Sequence, residues 1–160
     1  MSSRFKPYAT VALIIEHNGK YLIVEEKNED QDNRRVFGMP AGHIEKCEGI
    51  IEAALREGRE ETGTEVEIKS LIGIYDYVKD YETIYRFCFE ASLKEIPEHL
   101  SAKDPDQEID AVTWYTKEEI YARKDEWRTR LVGLCFDDYF KGQRFPLSLI
   151  NSINTVSDKN

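Results

Sequence analysis

The segment from residue 49 to residue 62 constrains the fold more than any other part of the chain, because its apolar residues recur at i, i+3, i+4 and i+7. These residues are Ile51, Ala54, Leu55 and Gly58. The spacing predicts an amphipathic α-helix with one buried face. Gly63 follows where a left-handed glycine ends a helix. We expect the polar side of this helix to turn its glutamates away from the core.

Three of these glutamates, Glu57, Glu60 and Glu61, stand at i, i+3 and i+4, which brings their Cβ atoms to about 5–6 Å from one another on a helix. Like charges at this spacing cost an exposed helix about 0.2–0.5 kcal/mol per pair, and a bound divalent cation reverses that cost. Ligands that are all oxygens favour Mg²⁺ or Mn²⁺. Taken alone, a solvated acidic face is the commoner explanation, so the surrounding residues must decide.

The composition limits the classes of protein and partner. The chain has 160 residues, 41% hydrophobic and 33% charged, which predicts one globular domain over residues 1–160 with flexible ends at about 1–6 and 151–160. The formal charge of −9 disfavours nucleic-acid polymers and anionic membranes, since both bind basic surfaces. An acidic protein still binds an anionic small molecule when a metal ion lies between them.

The cysteines and the N-terminus predict the compartment. Cys47, Cys88 and Cys135 are odd in number and lack CxxC spacing, so neither a disulfide framework nor a zinc site is indicated. No apolar stretch typical of a signal peptide begins the chain, and no run of 18 apolar residues occurs. We therefore expect a cytoplasmic protein, either a monomer or a homodimer.

Strands are predicted on both sides of the helix. Asn18-Gly19 joins two β-branched runs and indicates a hairpin. A capping box at Thr116 begins a second helix, and a third is expected over 130–140. The segment 40–42 is expected to break a strand, and 28–35 to form an exposed loop. The predicted strands cover 9–16, 21–25, 36–39, 65–77, 84–93 and 111–115. This order predicts an α/β protein with a mixed sheet and helices on both of its faces.

A longer pattern surrounds the acidic helix: G-x5-E-x7-R-E-U-x-E-E-x-G-U, in which U is a bulky apolar residue. All seven fixed positions match, namely Gly42, Glu48, Arg56, Glu57, Glu60, Glu61 and Gly63. Gly58 and Thr64 depart from the pattern at its two U positions, and we expect Gly58 to serve close packing against a neighbouring strand. The pattern is the Nudix box. The chain resembles the Nudix hydrolases, and in segments 5–7, 40–43 and 142–147 it is most similar to the NudJ-type phosphatases.

This resemblance implies a Nudix fold, an α/β/α sandwich, with Mg²⁺ as cofactor and Mn²⁺ as a possible substitute. It implies hydrolysis of a phosphoanhydride bond in nucleoside di- and triphosphates or thiamine-type pyrophosphates, with release of phosphate. Two alternatives remain open. One is a Nudix pyrophosphohydrolase acting on ADP-ribose or dinucleoside polyphosphates, and the other is a Nudix-like domain that senses a nucleotide without cleaving it. The complete set of glutamates favours catalysis.

The resemblance also implies roles for individual residues. It assigns metal ligation to Glu57, Glu60, Glu61 and the backbone carbonyl of Ala41. Arg56 is predicted to orient a carboxylate and offset its charge, because Glu52 and Glu60 lie one helical turn away on either side. A distal glutamate acts as base or ligand in many Nudix enzymes; Glu108 matches it, with Asp106 and Asp110 as competitors.

For the substrate, Phe37 and Tyr77 are predicted to stack on a base or pyrimidine ring, with core packing as the alternative role. Arg35 and Arg86 are predicted to contact phosphate, with solvated or sheet-paired charge as the alternative.

Overall fold

The computed structural model describes residues 3–29, 32–103 and 109–157. Within these ranges the chain forms seven strands and three α-helices. In order they are β1 Tyr8–His17, β2 Lys20–Asn28, β3 Arg34–Gly38, β4 Ala41–His43, α1 Ile50–Thr62, β5 Val66–Val78, β6 Thr83–Leu93, β7 Ile109–Thr116, α2 Lys117–Ala122 and α3 Arg130–Phe140. Single turns of 3-10 helix cover Lys124–Glu126 and Leu147–Leu149.

The hairpin of β1 and β2 sets the plan of the sheet. It turns through Asn18 and Gly19, whose φ angles of 51° and 76° are those that a tight hairpin turn requires. The two strands pair only next to this turn. Farther along, β1 pairs with β4 antiparallel and with β6 parallel, while β2 pairs with β3 and β7. The sheet is therefore mixed, as predicted, and opens into two halves that share the hairpin.

Helices cover both faces of the sheet. Alternation along β1 directs Val11 and Leu13 to one face and Ala12 and Ile14 to the other, and all four are at most 1% exposed. The first pair packs in a core with α1, and the second in a core with α2 and α3. The predicted α/β/α sandwich is confirmed. No helix of the described ranges is long and apolar enough to cross a membrane.

The ends of the helices follow the predicted signals. Thr116 Oγ1 accepts a hydrogen bond from Glu119 N at 3.1 Å and caps α2. Gly63, with φ of 74°, ends α1 in the left-handed conformation. The helix predicted over 130–140 is found with the same bounds. The loop predicted over 28–35 is shorter, because β2 continues to Asn28 and β3 begins at Arg34.

One expectation about α1 was wrong. Glu57 and Glu61 are only 8% and 7% exposed, so the helix does not turn these glutamates away from the interior. Leu55 lies on the buried face as expected, since it is half buried and packs against the core beneath α1. The strand break predicted at 40–42 is present, since β3 ends at Gly38, but the chain then forms a further strand, β4, in which Ala41 pairs with Ala12 of β1. This short strand contacts α1 and covers part of its polar side, which the periodicity of the helix did not reveal.

The C-terminal stretch lies outside any helix or strand. Residues 151–157 are exposed, and Asn154 Nδ2 donates to Glu52 Oε1 at 3.0 Å. The expected flexibility of the two ends stays a prediction.

Gly58 lies at the closest approach between α1 and the sheet, as expected from its place in the helix. A Cβ at this position would lie 2.4 Å from Val66 Cγ2 and 3.2 Å from Leu13 Cδ1. Neither neighbour belongs to a flexible surface side chain, since Val66 is 1% exposed and Leu13 is fully buried.

We predict that Gly58→Ala lowers the free energy of unfolding by about 1–3 kcal/mol, because the added methyl overpacks the core. An unobstructed helical site would instead gain up to about 1 kcal/mol from this change. Urea denaturation of Gly58→Ala, Val66→Ala and the double variant measures the effect. In the Val66→Ala background the penalty should shrink to below about 0.5 kcal/mol. An equal penalty in both backgrounds would contradict the close contact.

Candidate functional site

Arg56 is the centre of a charged cluster on the polar side of α1. Its Nε and Nη2 donate to the two oxygens of Glu48 at 2.7 and 3.0 Å, a two-pronged pairing. Its Nη1 donates to Glu57 Oε1 at 2.8 Å and to Glu60 Oε2 at 3.1 Å. Its Nη2 also donates to the carbonyl of His43 at 2.9 Å. The predicted pair with Glu60 is thus present, but the Glu48 pair has the more favourable geometry.

This cluster is largely removed from solvent, and the titration of its members reflects that. The side chains of Arg56, Glu48 and Glu57 are 14%, 12% and 11% exposed. Burial acts to raise the pKa of Glu48, but hydrogen bonds from Arg56 and from the Glu45 amide lower it below its usual value. The hydrogen bond to Glu48 is the largest cause that raises the pKa of Arg56. The guanidinium and the Glu48 carboxylate are therefore both charged and join the loop after β4 to the helix.

Glu57 is pressed against the backbone of β4. A Cβ on Gly42 would lie 2.1 Å from Glu57 Oε1, so only glycine leaves room for this carboxylate. Burial raises the pKa of Glu57, while the hydrogen bond from Arg56 lowers it and the charge of Glu60 raises it. The fixed glycine of the motif thus makes room for one of the fixed glutamates.

Glu61 is the most deeply buried of the three glutamates. Its Oε2 accepts a hydrogen bond from Ala41 N at 2.8 Å. Burial raises the pKa of Glu61 well above the usual range, the charge of Arg128 lowers it, and that of Glu57 raises it. Glu60 is more open, with 30% of its side chain exposed. The three glutamates and Ala41, predicted as metal ligands, therefore lie around one edge formed by α1 and β4.

The chemistry of these donors fits a hard dication. All the side-chain donors are carboxylate oxygens, which suit Mg²⁺ and Mn²⁺. Glu57 and Glu61 are buried with raised pKa values, and a nearby cation favours the charged form of such carboxylates. In the described part of the chain no three acidic, imidazole or thiol groups already stand in ligating positions. Arg56 Nη1 instead lies between Glu57 and Glu60 and offsets their charge.

Arg86 is the predicted substrate contact with the most distinctive surroundings. It lies on β6, is 8% exposed, and donates from Nε to Thr10 Oγ1 at 3.3 Å. Burial lowers its pKa; among neighbouring charges Arg128 lowers it and Glu61 raises it. A guanidinium stays protonated under these conditions. Arg86 is therefore a buried cation close to the carboxylate edge.

The other predicted substrate contacts differ from Arg86 in their surroundings. Phe37 is 1% exposed in the core, with its ring centroid 5.3 Å from that of Tyr115, so its surroundings favour the core role. The Arg35 side chain is 58% exposed, and its Nη1 lies 3.7 Å from Glu25 Oε2. Tyr77 is half buried on β5, and Lys79 Nζ lies 4.9 Å from its ring centroid. The roles of these three residues in binding stay predictions.

The predicted distal glutamate is not described by the structure. Glu108 and its competitor Asp106 lie outside the described residues, so their roles stay predictions. Asp110 is exposed on β7.

Sequence reasoning missed Arg128. Its Nε pairs with Glu26 Oε1 at 3.2 Å, its backbone N donates to the carbonyl of Phe37 at 2.8 Å, and its charge acts on Glu61. Arg128 lies far along the chain from the motif, between α2 and α3, and no local pattern marks it. Only the return of the chain beside β3 brings it to the site.

Comparisons with known proteins agree with the motif and the fold. A family model described as the NUDIX domain matches residues 5–133. The chain is 34% identical over 151 residues to proteins named Phosphatase NudJ from Escherichia coli (strain K12) and Shigella boydii serotype 4 (strain Sb227), covering 94% of this chain and 94% of each relative. These matches confirm the resemblance found in the sequence.

Solved structures give the same answer. A NUDIX hydrolase from Nitrosomonas europaea is 35% identical, with a TM-score of 0.84 over 94% of this chain and 100% of its own. The solution structure of the E. coli ORF135 protein is 22% identical, with a TM-score of 0.67 over 85% of this chain and 90% of its own, and supports the fold alone.

We predict that Arg56→Ala lowers the free energy of unfolding by about 3 kcal/mol, because it leaves buried carboxylates without their cation. Arg59→Ala on the same helix is the matched control. The Arg59 side chain is 48% exposed and lies 3.7 Å from Glu65, a surface pair whose loss costs at most about 1 kcal/mol. Chemical denaturation without divalent ions measures both variants. Equal losses would refute the central role of Arg56.

Proposed function

The chain belongs to the Nudix hydrolase family and is a phosphohydrolase; on that premise we propose that it is a Mg²⁺-dependent phosphatase. We infer that it releases phosphate from the phosphoanhydride bond of nucleoside di- and triphosphates or of thiamine-type pyrophosphates. The observation that carries the proposal is the convergence of Glu57, Glu60 and Glu61 beside Ala41 and around Arg56. The similarity to proteins named Phosphatase NudJ supports the substrate class.

In this proposal the residues of the site have distinct roles. Glu57, Glu60, Glu61 and the Ala41 carbonyl would hold Mg²⁺, which supplies charge neutralisation on the phosphates and a lowered pKa for the attacking water. Arg56 keeps Glu57 and Glu60 in place through its hydrogen bonds. The Ala41 amide orients Glu61 in the same way.

The substrate and the proton need further groups. Arg86, a buried cation near Glu61, is suited to bind a phosphate oxygen, because a guanidinium offers several donors in a fixed plane. Glu108 is proposed as base or ligand on the strength of the resemblance alone.

We also propose that the enzyme works in the cytoplasm on a small molecule and not on a nucleic-acid polymer. Among the described cysteines, Cys88 and Cys135 are buried free thiols, as is usual in a reducing compartment. The net charge of −9 opposes binding to a polyanion by surface charge.

We expect Glu57→Gln, Glu60→Gln and Glu61→Gln each to lower kcat/KM about 100-fold or more, because each removes a charge that holds the metal. Glu52→Gln, on the exposed side of the same helix, is the matched control and should stay within about twofold. The assay follows release of orthophosphate and pyrophosphate from nucleoside di- and triphosphates and thiamine diphosphate.

The same assay separates the alternatives. Orthophosphate release from terminal phosphoanhydrides is expected. Preferential cleavage of ADP-ribose or diadenosine compounds would reject the NudJ-like assignment, and full turnover by all three variants would reject the site.

Binding of the cation is tested without turnover. At about 100 times its dissociation constant, Mg²⁺ should stabilise the wild-type protein by about 2.7 kcal/mol and raise the unfolding midpoint by about 5–10 °C. Glu61→Gln should lose most of this shift, and Na⁺ at equal ionic strength should not reproduce it. A full shift without any hydrolysis across the substrate panel would favour the nucleotide-sensing alternative.

A further inference from the structure

A row of polar side chains crosses four strands on the face of the sheet that bears α3. The strand registers pair Thr10 with His43 of β4 and with Arg86 of β6, and Arg86 in turn with Tyr75 of β5. Paired residues of neighbouring strands project from the same face. The Arg86–Thr10 hydrogen bond and the 2.8 Å bond from Tyr75 to Asp138 of α3 agree with this placement.

A second row lies two residues away along the same strands, toward the N-terminus of β1. The same registers pair Tyr8 with Ile84, and Ile84 with Tyr77. Tyr8 is 51% exposed, while Ile84 and Tyr77 are half buried. This row therefore presents two phenol rings and an aliphatic side chain beside the polar row.

Both rows adjoin the carboxylate edge. The rings of Tyr8 and His43 meet edge to face, with centroids 5.5 Å apart and planes at 73°. His43 lies two residues after Ala41, and its carbonyl accepts a hydrogen bond from Arg56. Farther along the polar row, burial lowers the pKa of Arg86 and the charge of Glu61 acts to raise it. A substrate whose phosphates lie at the glutamates therefore has this face of the sheet within reach.

The positions of Arg86 and Tyr8 indicate how a substrate is oriented at the site. Arg86 donates from Nε to Thr10 Oγ1, and its buried guanidinium is suited to a phosphate oxygen. Tyr8 lies opposite the residue two positions before Arg86, so the two are about 7 Å apart along the strands. A sugar or a short methylene linker spans such a distance.

We propose that Tyr8, with Ile84 and Tyr77, forms the seat for the flat aromatic ring of the substrate, while Arg86 holds one of its phosphates. The inference rests on the proposed function and deepens it, because it makes Tyr8 a specificity-determining residue. The phenol ring stacks on any flat heteroaromatic group, so the seat accepts a nucleobase or a thiamine-type pyrimidine. A substrate without a ring gains no stacking contact from this seat.

The test compares a substrate that has the ring with one that lacks it. Tyr8→Ala should lower kcat/KM for a nucleoside triphosphate about tenfold, mainly through KM, since one stacking contact is lost. Inorganic tripolyphosphate, which has the same phosphoanhydride bonds without a ring, should be unaffected. Tyr8→Phe should retain the wild-type preference.

The matched control is Tyr85→Ala. Tyr85 is similarly exposed, at 42%, but pairs with Ala9 and so projects from the opposite face of the same strands. It should leave both substrates unchanged. Equal losses with the two substrates, or the same loss in Tyr85→Ala, would overturn the proposal.

A binding measurement separates this inference from the proposed function. Equilibrium dialysis of the nucleoside triphosphate and of tripolyphosphate, with Ca²⁺ replacing Mg²⁺, reports on the seat without turnover. A tenfold weaker nucleotide affinity in Tyr8→Ala supports the seat, whether or not the wild-type protein hydrolyses either compound. If the wild-type protein hydrolyses neither, only the phosphatase activity is refuted. Unchanged nucleotide affinity in Tyr8→Ala overturns the seat even where phosphate release is found.

Discussion

The ion pairs of Arg56 are the interaction on which the rest of the site depends. One guanidinium pairs with Glu48, Glu57 and Glu60 and bonds the His43 carbonyl, so a single side chain joins the loop after β4 to the middle of α1. Without a cation, carboxylates this poorly solvated would repel one another and take up protons. The arginine therefore allows several carboxylates to stay charged at the edge of a folded core.

Close packing by two glycines complements these charges. Gly58 brings the buried side of α1 against Val66, and Gly42 brings β4 against Glu57. Any larger residue at either place would move the helix away from the strand, and with it the carboxylates from the Ala41 backbone. Both glycines act through the space they leave free, so the packing of the helix and the geometry of the site cannot be varied independently.

Cations near the site reconcile an acidic chain with an anionic substrate. The net charge is −9, yet Arg86 and Arg128 lie around Glu61 and act on each other's environment. In the low-dielectric interior such charges act strongly over short distances. The net charge of the chain therefore does not describe the surroundings of Glu61, where two cations act at close range.

The sequence by itself determined the elements whose signals are local. The period of α1, the Asn18-Gly19 turn and the Thr116 cap were all predicted, because helix faces and turns depend on residues a few positions apart. The motif likewise singled out the three glutamates and Arg56, whose roles stay predictions, while the family that it indicated is confirmed by the model matching residues 5–133.

Only the tertiary structure decided what depends on pairing between distant segments. Strand β4, the burial of Glu57 and Glu61, the approach of Arg128 and the row that joins Tyr8 to Tyr77 arise where segments far apart in sequence come side by side. A carboxylate on the polar face of a helix looks solvated until another strand covers it. Burial, and with it the strength of each charge, is a property of the assembled fold.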